Sequence, residues 1–363
     1  MLSRVSMSSM VVAVSLAAAV FGAGCAAAAG DDTANAAGAQ SVPAASLARS
    51  YQGTIGTQKV MARLQVVGNA VSGSYFYADK ASDGDAIVLS GNAVGQKLTL
   101  SEAVNASKTG SFDTMIGNGV INGTWKSPDG ATSLAVKLTA VKGGTLLPVT
   151  RTFKDTAPAA SASAGAPLTT CESTASFIEV FGLASAAAED AINKKLAPTK
   201  IERDASGKCD SGSAKDATQT VGFNAQGFLS IAILTNYDGG AHPEVSLEFA
   251  NFKTADGSQL SGKDFFATDA KDQVKALVVK SINADASLAA ADKTDSLSEL
   301  DNEWQQIDSL DSIEFGITDK GLTLDMTNNY PHVVVALAPV VALSWADLKP
   351  LLKSDSPILP LVK

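Results

Sequence analysis

The chain has 363 residues, of which 45% are hydrophobic and 18% charged, with a formal net charge of −9. That length suffices for two modest packed domains, and the hydrophobic content excludes disorder as the general state of the chain. Phosphate recognition needs clustered Lys and Arg, which are absent, so nucleic acid is not an expected partner. An acidic chain instead suits cationic partners, or is simply soluble.

Residues 1–24 (MLSRVSMSSMVVAVSLAAAVFGAG) have the three-part build of a secretory signal peptide. Arg4 is the single cation, Met10 to Phe21 form the apolar core, and small residues follow. The apolar run is shorter than the roughly 20 residues that span a bilayer. Gly22-Ala23-Gly24-Cys25 resembles the lipid-attachment site of bacterial lipoproteins, with Gly22 where that family has Leu. The resemblance implies an acylated Cys25 and, in a Gram-negative cell, an outer-membrane protein facing the periplasm. The alternative is an ordinary signal peptide and a soluble periplasmic or secreted protein. Residues 25–47 are small and polar, without apolar periodicity, and read as a flexible tether.

Residues 48–143 read as all-β. Val60, Ala62, Leu64 and Val66 alternate with Met61, Arg63 and Gln65, and Leu134, Val136, Leu138 and Ala140 repeat the pattern. Turn signals such as Gly56-Thr57, Gly68-Asn69 and Asn118-Gly119 recur about every ten residues. About eight short strands in a meander predict a small closed barrel, with a sandwich as the alternative. Tyr75, Phe76, Tyr77 and Trp125 are expected in its core or plugging it, rather than caging a ligand. Residues 144–167, ending in the Ala/Ser/Pro-rich TAPAASASAGAP, are expected to link this region to the next.

Residues 168–363 read as α+β. A short strand at Phe177–Val180 and an Ala-rich helix over 184–196 precede a hairpin, 218–223 and 228–235, and a strand over 244–252. Val274, Val278 and Ile282 mark one helix, and Leu297, Leu300, Trp304 and Ile307 a second. Strands over 313–318 and 322–326 flank a tight turn. Val333 to Leu343 is an apolar run of strand type, and Ser344-Trp345-Ala346-Asp347 opens a last helix with a capping box. With Cys25 set aside, Cys171 and Cys209 are a candidate disulfide, because an exported chain meets an oxidising compartment. A metal site at these cysteines would need further His or Cys nearby.

No H-E-x-x-H, G-x-S-x-G, P-loop or G-x-G-x-x-G pattern occurs, so no catalytic residue, metal ligand or cofactor is expected. Asp79, Asp83 and Asp85 lack the acid that ends a calcium loop, since Ser90 stands there. The acids Asp292, Asp295, Glu299, Asp301, Glu303, Asp308 and Asp311 read first as a solvated helix exterior and second as a face for a cationic partner. The distinctive local motif is Tyr237-Asp238-Gly239-Gly240-Ala241-His242-Pro243 between two strands. Its glycines permit positive φ or close backbone approach, and Pro243 holds His242 extended. Tyr237, Gly239, Gly240 and His242 are candidate binding residues, against the plainer reading of a tight strand connection.

This motif resembles the Y-x-G-G-A-H signature of the extracellular domain shared by the anti-sigma factor RsiV and the peptidoglycan deacetylase PdaC. Ala191-Ile192-Asn193-Lys194 precedes it in the order found in that family. Asn251-Phe252, Asp256-Gly257, Leu260, Asp264-Phe265-Phe266, Phe315, Gly321-Leu322, Tyr330 and Trp345 to Leu348 follow it in order. Pro331-His332-Val333 departs from the pattern, which has a Gly there. The chain carries neither a deacetylase domain nor a spanning helix. The resemblance therefore implies an envelope-side binding domain rather than either whole-protein activity. Lysozyme, which RsiV binds through such a domain, is the most concrete ligand it implies. Alternatives are a peptidoglycan- or carbohydrate-binding module carried by the β region, and an enzyme acting on envelope glycan.

Overall fold

The computed structural model describes residues 49–78, 87–142, 146–160, 169–209, 213–238, 244–330 and 337–362. The expected signal peptide, Cys25 and the whole of the tether lie outside them. Among the described residues no helix is long and apolar enough to cross a membrane.

The N-terminal region is a closed, eight-stranded antiparallel meander. Its strands are β1 (Ser50–Ile55), β2 (Gln58–Val67), β3 (Ala70–Tyr77), β4 (Ile87–Val94), β5 (Lys97–Val104), β6 (Ser107–Gly117), β7 (Val120–Lys126) and β8 (Ser133–Ala140). The period-2 pattern drives closure: Ile55, Val60, Ala62, Leu64, Leu98, Leu100, Ile121 and Leu138 all point inward and are buried. Closure leaves no unpaired sheet edge. β1 pairs with β8 from Tyr51↔Ala140 to Ile55↔Val136, and a Cβ on Gly53 would lie 2.0 Å from the Lys137 carbonyl oxygen. Glycine there lets the seam close. The interior cavity is about 20 Å³ and lined by apolar side chains, so this barrel is packed and is not a ligand cup.

The rest is α+β. A six-stranded sheet in the order β14-β13-β12-β11-β10-β9 is built from β9 (Leu147–Pro158), β10 (Thr170–Phe181), β11 (Ser213–Ala225), β12 (Phe228–Asp238), β13 (Glu244–Lys253) and β14 (Gln259–Leu260). The pair β10/β11 is parallel, and α1 (Ala186–Leu196) lies in the crossover that a parallel pair requires. Ser185 caps α1 through the Ala188 N–H. A three-stranded sheet of β15 (Glu314–Ile317), β16 (Gly321–Asp325) and β17 (Val340–Ser344) follows α2 (Gly262–Phe265), α3 (Lys271–Ala284) and α4 (Ala290–Gln306). The expected stripes Val274, Val278, Ile282 and Leu300, Trp304, Ile307 pack on Phe315, Ile317, Leu322 and Leu324. α5 (Trp345–Leu348) opens on Ser344, whose Oγ accepts from the Asp347 N–H.

Two expectations are corrected. Residues 144–167 are not simply a linker: Leu147–Pro158 is β9, paired with all of β10 from Phe181↔Leu147 to Thr170↔Pro158. Only Phe153 and Ala157 of this strand are fully buried, while Thr150, Thr152, Lys154 and Thr156 face water, so its apolar signal is thin. Of the apolar run 333–343, the described part carries no strand at 337–339 and supplies β17 from Val340; residues 331–336, with His332, lie outside the described residues.

The barrel wall is joined to this sheet by a mixed apolar and ionic contact. Met61 and Phe76, which point out of the barrel, pack with Val141 and Phe181. Arg63 pairs with Glu179, donates from Nε to Glu189 at 3.0 Å and from Nη2 to the Val180 carbonyl at 2.9 Å, and lies 4.0 Å from the Phe181 ring centre. Arg151 takes the other Glu179 oxygen and stacks 3.8 Å from Phe76. Glu189, fully buried, also accepts from the Leu183 N–H at 3.1 Å. Buried carboxylates are tolerated when paired and hydrogen-bonded in this way.

Candidate functional site

β10, β11, β12 and β13 end together at one margin of the six-stranded sheet. The Tyr237 motif begins there. Lys215 of β11 lies opposite Tyr237, and Glu244 of β13 lies on its other side. Tyr237 is exposed. Gly239, Gly240 and His242, with Ala241 and Pro243, fall outside the described residues. Tyr237 is therefore the one candidate binding residue of the motif that the structure places.

Cys171 and Cys209 form a disulfide beside it. The bond ends a 38-residue span that leaves β10, forms α1 and returns as an irregular strap, residues 197–209, over β9 and β10. Asp155 fastens this strap by accepting from the Ile201 N–H at 2.9 Å and by pairing with Arg203. Burial pushes the Asp155 carboxyl up, but the bonds from Arg203 and Ile201 outweigh it and hold the group below the usual carboxylate range. Between strap and sheet lies an open pocket of about 210 Å³, whose rim carries Tyr237, Lys200, Lys215, Glu172 and Glu202 around the disulfide. An adjoining cleft of about 220 Å³ shares Lys200 and is lined by Arg151, Phe153, Phe177 and Glu179. Such mixed charge with one exposed aromatic suits polar recognition more than burial of an apolar ligand.

The remaining motif residues are spent on architecture. Asn193 of α1 accepts from the Val180 N–H at 2.7 Å and donates to the Val180 carbonyl at 2.9 Å, beyond the point where β11 stops pairing with β10. Asn251 of β13 donates to the Phe315 carbonyl and accepts from the Ile317 N–H at 3.2 Å, so it joins the two sheets. A Cβ on Gly257 would meet the Ala188 carbonyl oxygen at 2.6 Å, and its φ of 75° is in the left-handed region. Phe252, Phe265, Phe266, Phe315, Tyr330 and Trp345 are buried.

At one end of the barrel the aromatic residues surround a carboxylate that the sequence did not single out. Glu102, 5% exposed, accepts from Tyr75 Oη at 2.7 Å, Thr109 Oγ1 at 2.7 Å and Trp125 Nε1 at 2.6 Å. Burial, with bonds to Tyr77 and Glu102, raises the Tyr75 phenol far above its ordinary value. Tyr75 is buried in the barrel as expected; Phe76 is buried instead on the outer wall, against Phe181, because its neighbour in the alternation points inward, and Tyr77 and Trp125 stay half-exposed.

Among the described residues no group of three or more His, Cys, Asp or Glu is placed to hold a metal. Asp79, Asp83 and Asp85 lie outside them. In the acidic run, Asp301 pairs with Lys275, Asp311 with Lys263 and Ser261, and Glu303 is buried beside Gln306. Part of that charge is thus structural. Glu179, Glu189 and Arg63 were not anticipated either. Arg63 sits in an outward register position that ordinarily faces water, and nothing local marks it.

No protein-family model and no curated protein matches the chain. Among solved structures, it is similar to a DUF3298 family member from Bacteroides fragilis. That match has 16% identity and a TM-score of 0.43, and covers 61% of this chain and 98% of the other. A DUF3298 family protein from Pseudomonas aeruginosa gives 11% identity and a TM-score of 0.36, covering 58% and 96%.

Proposed function

We propose that this chain is a non-enzymatic protein of the bacterial cell envelope, held at a membrane through Cys25, whose α+β region binds a protein ligand at the Tyr237 margin of its sheet. One observation carries the reading. Of the described aromatic residues of the motif, Tyr237 alone is exposed, on the rim of a disulfide-braced pocket with Lys200, Lys215, Glu172 and Glu202. The resemblance to the RsiV and PdaC domain makes lysozyme the ligand to try first. The net charge of −9 would favour encounter with a basic partner. The test is retention of the mature protein on immobilised lysozyme at moderate salt. Binding that Tyr237→Ala weakens supports the reading; no retention of the wild type rejects lysozyme. Mass spectrometry of the mature N-terminus decides the anchor: an unacylated Cys25 would leave a soluble exported protein.

A second reading places a peptidoglycan or carbohydrate site on the barrel. It is favoured by the half-exposed Tyr77 and Trp125 around the Glu102 cluster at one barrel end. Failure of the protein to co-sediment with purified peptidoglycan, or sedimentation unchanged by Trp125→Ala, would remove it.

A further inference from the structure

β9 is the outermost strand of the six-stranded sheet, and only one of its edges is paired along its length. Which groups face outward follows from alternation in an antiparallel pair. Opposite Pro148, the backbone groups of Val180 are used by Asn193, so this is a pair in which β9 turns away from β10. At the other end, the Thr156 carbonyl accepts from Arg203 at 3.1 Å and the Pro158 carbonyl from the Cys209 N–H at 3.0 Å, both from outside the sheet. Thr150, Thr152 and Lys154 share that parity. Their N–H and C=O groups therefore point outward, and among the described residues no backbone partner meets them there. All three residues are exposed. Pro148, which has no N–H, bounds the free stretch on one side, and the Arg203 and Cys209 bonds bound it on the other. The gap from Thr150 to Lys154 is roughly 13 Å long at strand rise.

The charge beside this edge is opposite to that of the whole chain. Lys154 projects from the edge strand itself, and Lys200 stands over the neighbouring cleft; neither enters an ion pair among the described residues. The cleft of about 220 Å³ lies against the Arg151 and Phe153 side of β9, with Phe177 in its wall. We propose that the free edge of β9 binds a short, extended, acidic peptide segment of a partner protein as an added strand, with alternate side chains entering the Arg151/Phe153/Phe177 cleft. Backbone pairing supplies the affinity in this mode and flanking pockets supply the selectivity. Prolines and a lysine also protect edges from unlimited pairing. Here they do both: Pro148 and Pro158 limit the partner to a few residues, and Lys154 selects its charge. The cleft adjoins the Tyr237 pocket through Lys200, but the edge of β9 and Tyr237 are tested by different variants and probes, so either reading can fail without the other.

The probe is a fluorescein-labelled heptapeptide alternating Glu and Val, titrated into the mature protein by fluorescence anisotropy, with the Lys/Val peptide as its control. Only alternate amides of an added strand face β9. N-methylation of either the Glu or the Val amides should therefore abolish binding, and methylation of the other set should leave it. Thr152→Pro removes one outward donor and should weaken the Glu/Val peptide by about tenfold, while Thr152→Ala should not. Amide hydrogen exchange at Thr150, Thr152 and Lys154 should slow on peptide addition, a readout that does not depend on any variant folding. Equal binding of the Glu and Lys peptides, equal tolerance of both methylation patterns, or unchanged exchange at these amides would overturn the proposal. So would a dimer of this chain sealed through the same edge, because the edge would then belong to a second copy.

Discussion

Asn193 and Asn251 each do with one side chain what a neighbouring strand does with its backbone. A buried N–H or C=O without a partner costs about 1–3 kcal/mol, so these amides matter more than their single contacts suggest. Asn193→Ala leaves the Val180 N–H alone, although Arg63 still reaches the carbonyl. Asn251→Ala leaves the Phe315 carbonyl alone, although Ser230 Oγ still accepts from Ile317 at 3.1 Å. Each substitution is expected to lower stability by about 1–3 kcal/mol, read as a shifted urea midpoint at unchanged slope. The opposed pair Glu314 and Asp325 is a second device at this scale. Burial raises both carboxyls; Glu248 and Asp325 add to the effect at Glu314, while bonds from the Phe249 N–H and from Thr327 oppose it. The folded protein therefore binds protons that the unfolded chain has released. The stabilisation is complete below the ordinary carboxylate range and is lost as pH rises through the elevated values. Urea titrations from about pH 4 to 7 should show this decline flattened in Glu314→Gln/Asp325→Asn. A slope equal to the wild type's would exclude the pair as its source.

Elements differ in how openly the chain announces them. The barrel strands were legible because alternation has a period of two and tight turns at Gly56, Gly68 and Gly119 use the positive φ that glycine tolerates. β9 was not, because an edge strand with one thinly buried face carries few apolar residues and here adjoins an Ala/Ser/Pro run. Its place is set by β10, which no property of residues 147–158 alone reveals. The strap is likewise defined by what holds it. Replacing Cys171 and Cys209 with Ser frees a loop of 38 residues and should cost about 4 kcal/mol by loop-closure entropy, seen as a lower Tm. Within the barrel, Glu102→Gln leaves the shape but too few acceptors for Tyr75, Thr109 and Trp125. A loss of about 1–3 kcal/mol is expected, with a change in the near-ultraviolet circular dichroism of Trp125.

At the scale of the whole molecule, Arg63 ties the barrel to the sheet through two carboxylates: Glu179, which Arg151 also holds, and Glu189, which Arg49 approaches only to 3.6 Å. Its side chain is 20% exposed, while that of Glu179 is 11% exposed and that of Glu189 fully buried. Arg63→Met should cost about 3–5 kcal/mol by removing the nearest counter-charge of the fully buried Glu189, and calorimetry should then show the barrel and the α+β region unfolding separately. A single unchanged transition would mean that the apolar contact of Met61, Phe76 and Phe181 is sufficient to couple them. The sequence by itself determined the closed barrel, the α+β class, the capping of α5 and the cysteines able to pair, because alternation, helical spacing and turn chemistry act within a few residues. Only the tertiary structure decided that β9 joins the sheet, that two motif asparagines complete strand edges, that Glu102 is buried among aromatics, and that Arg63 meets Glu189 across 126 positions of chain. These depend on which distant groups share a low-dielectric interior. A charged or amide side chain looks the same in sequence whether water or a buried partner satisfies it.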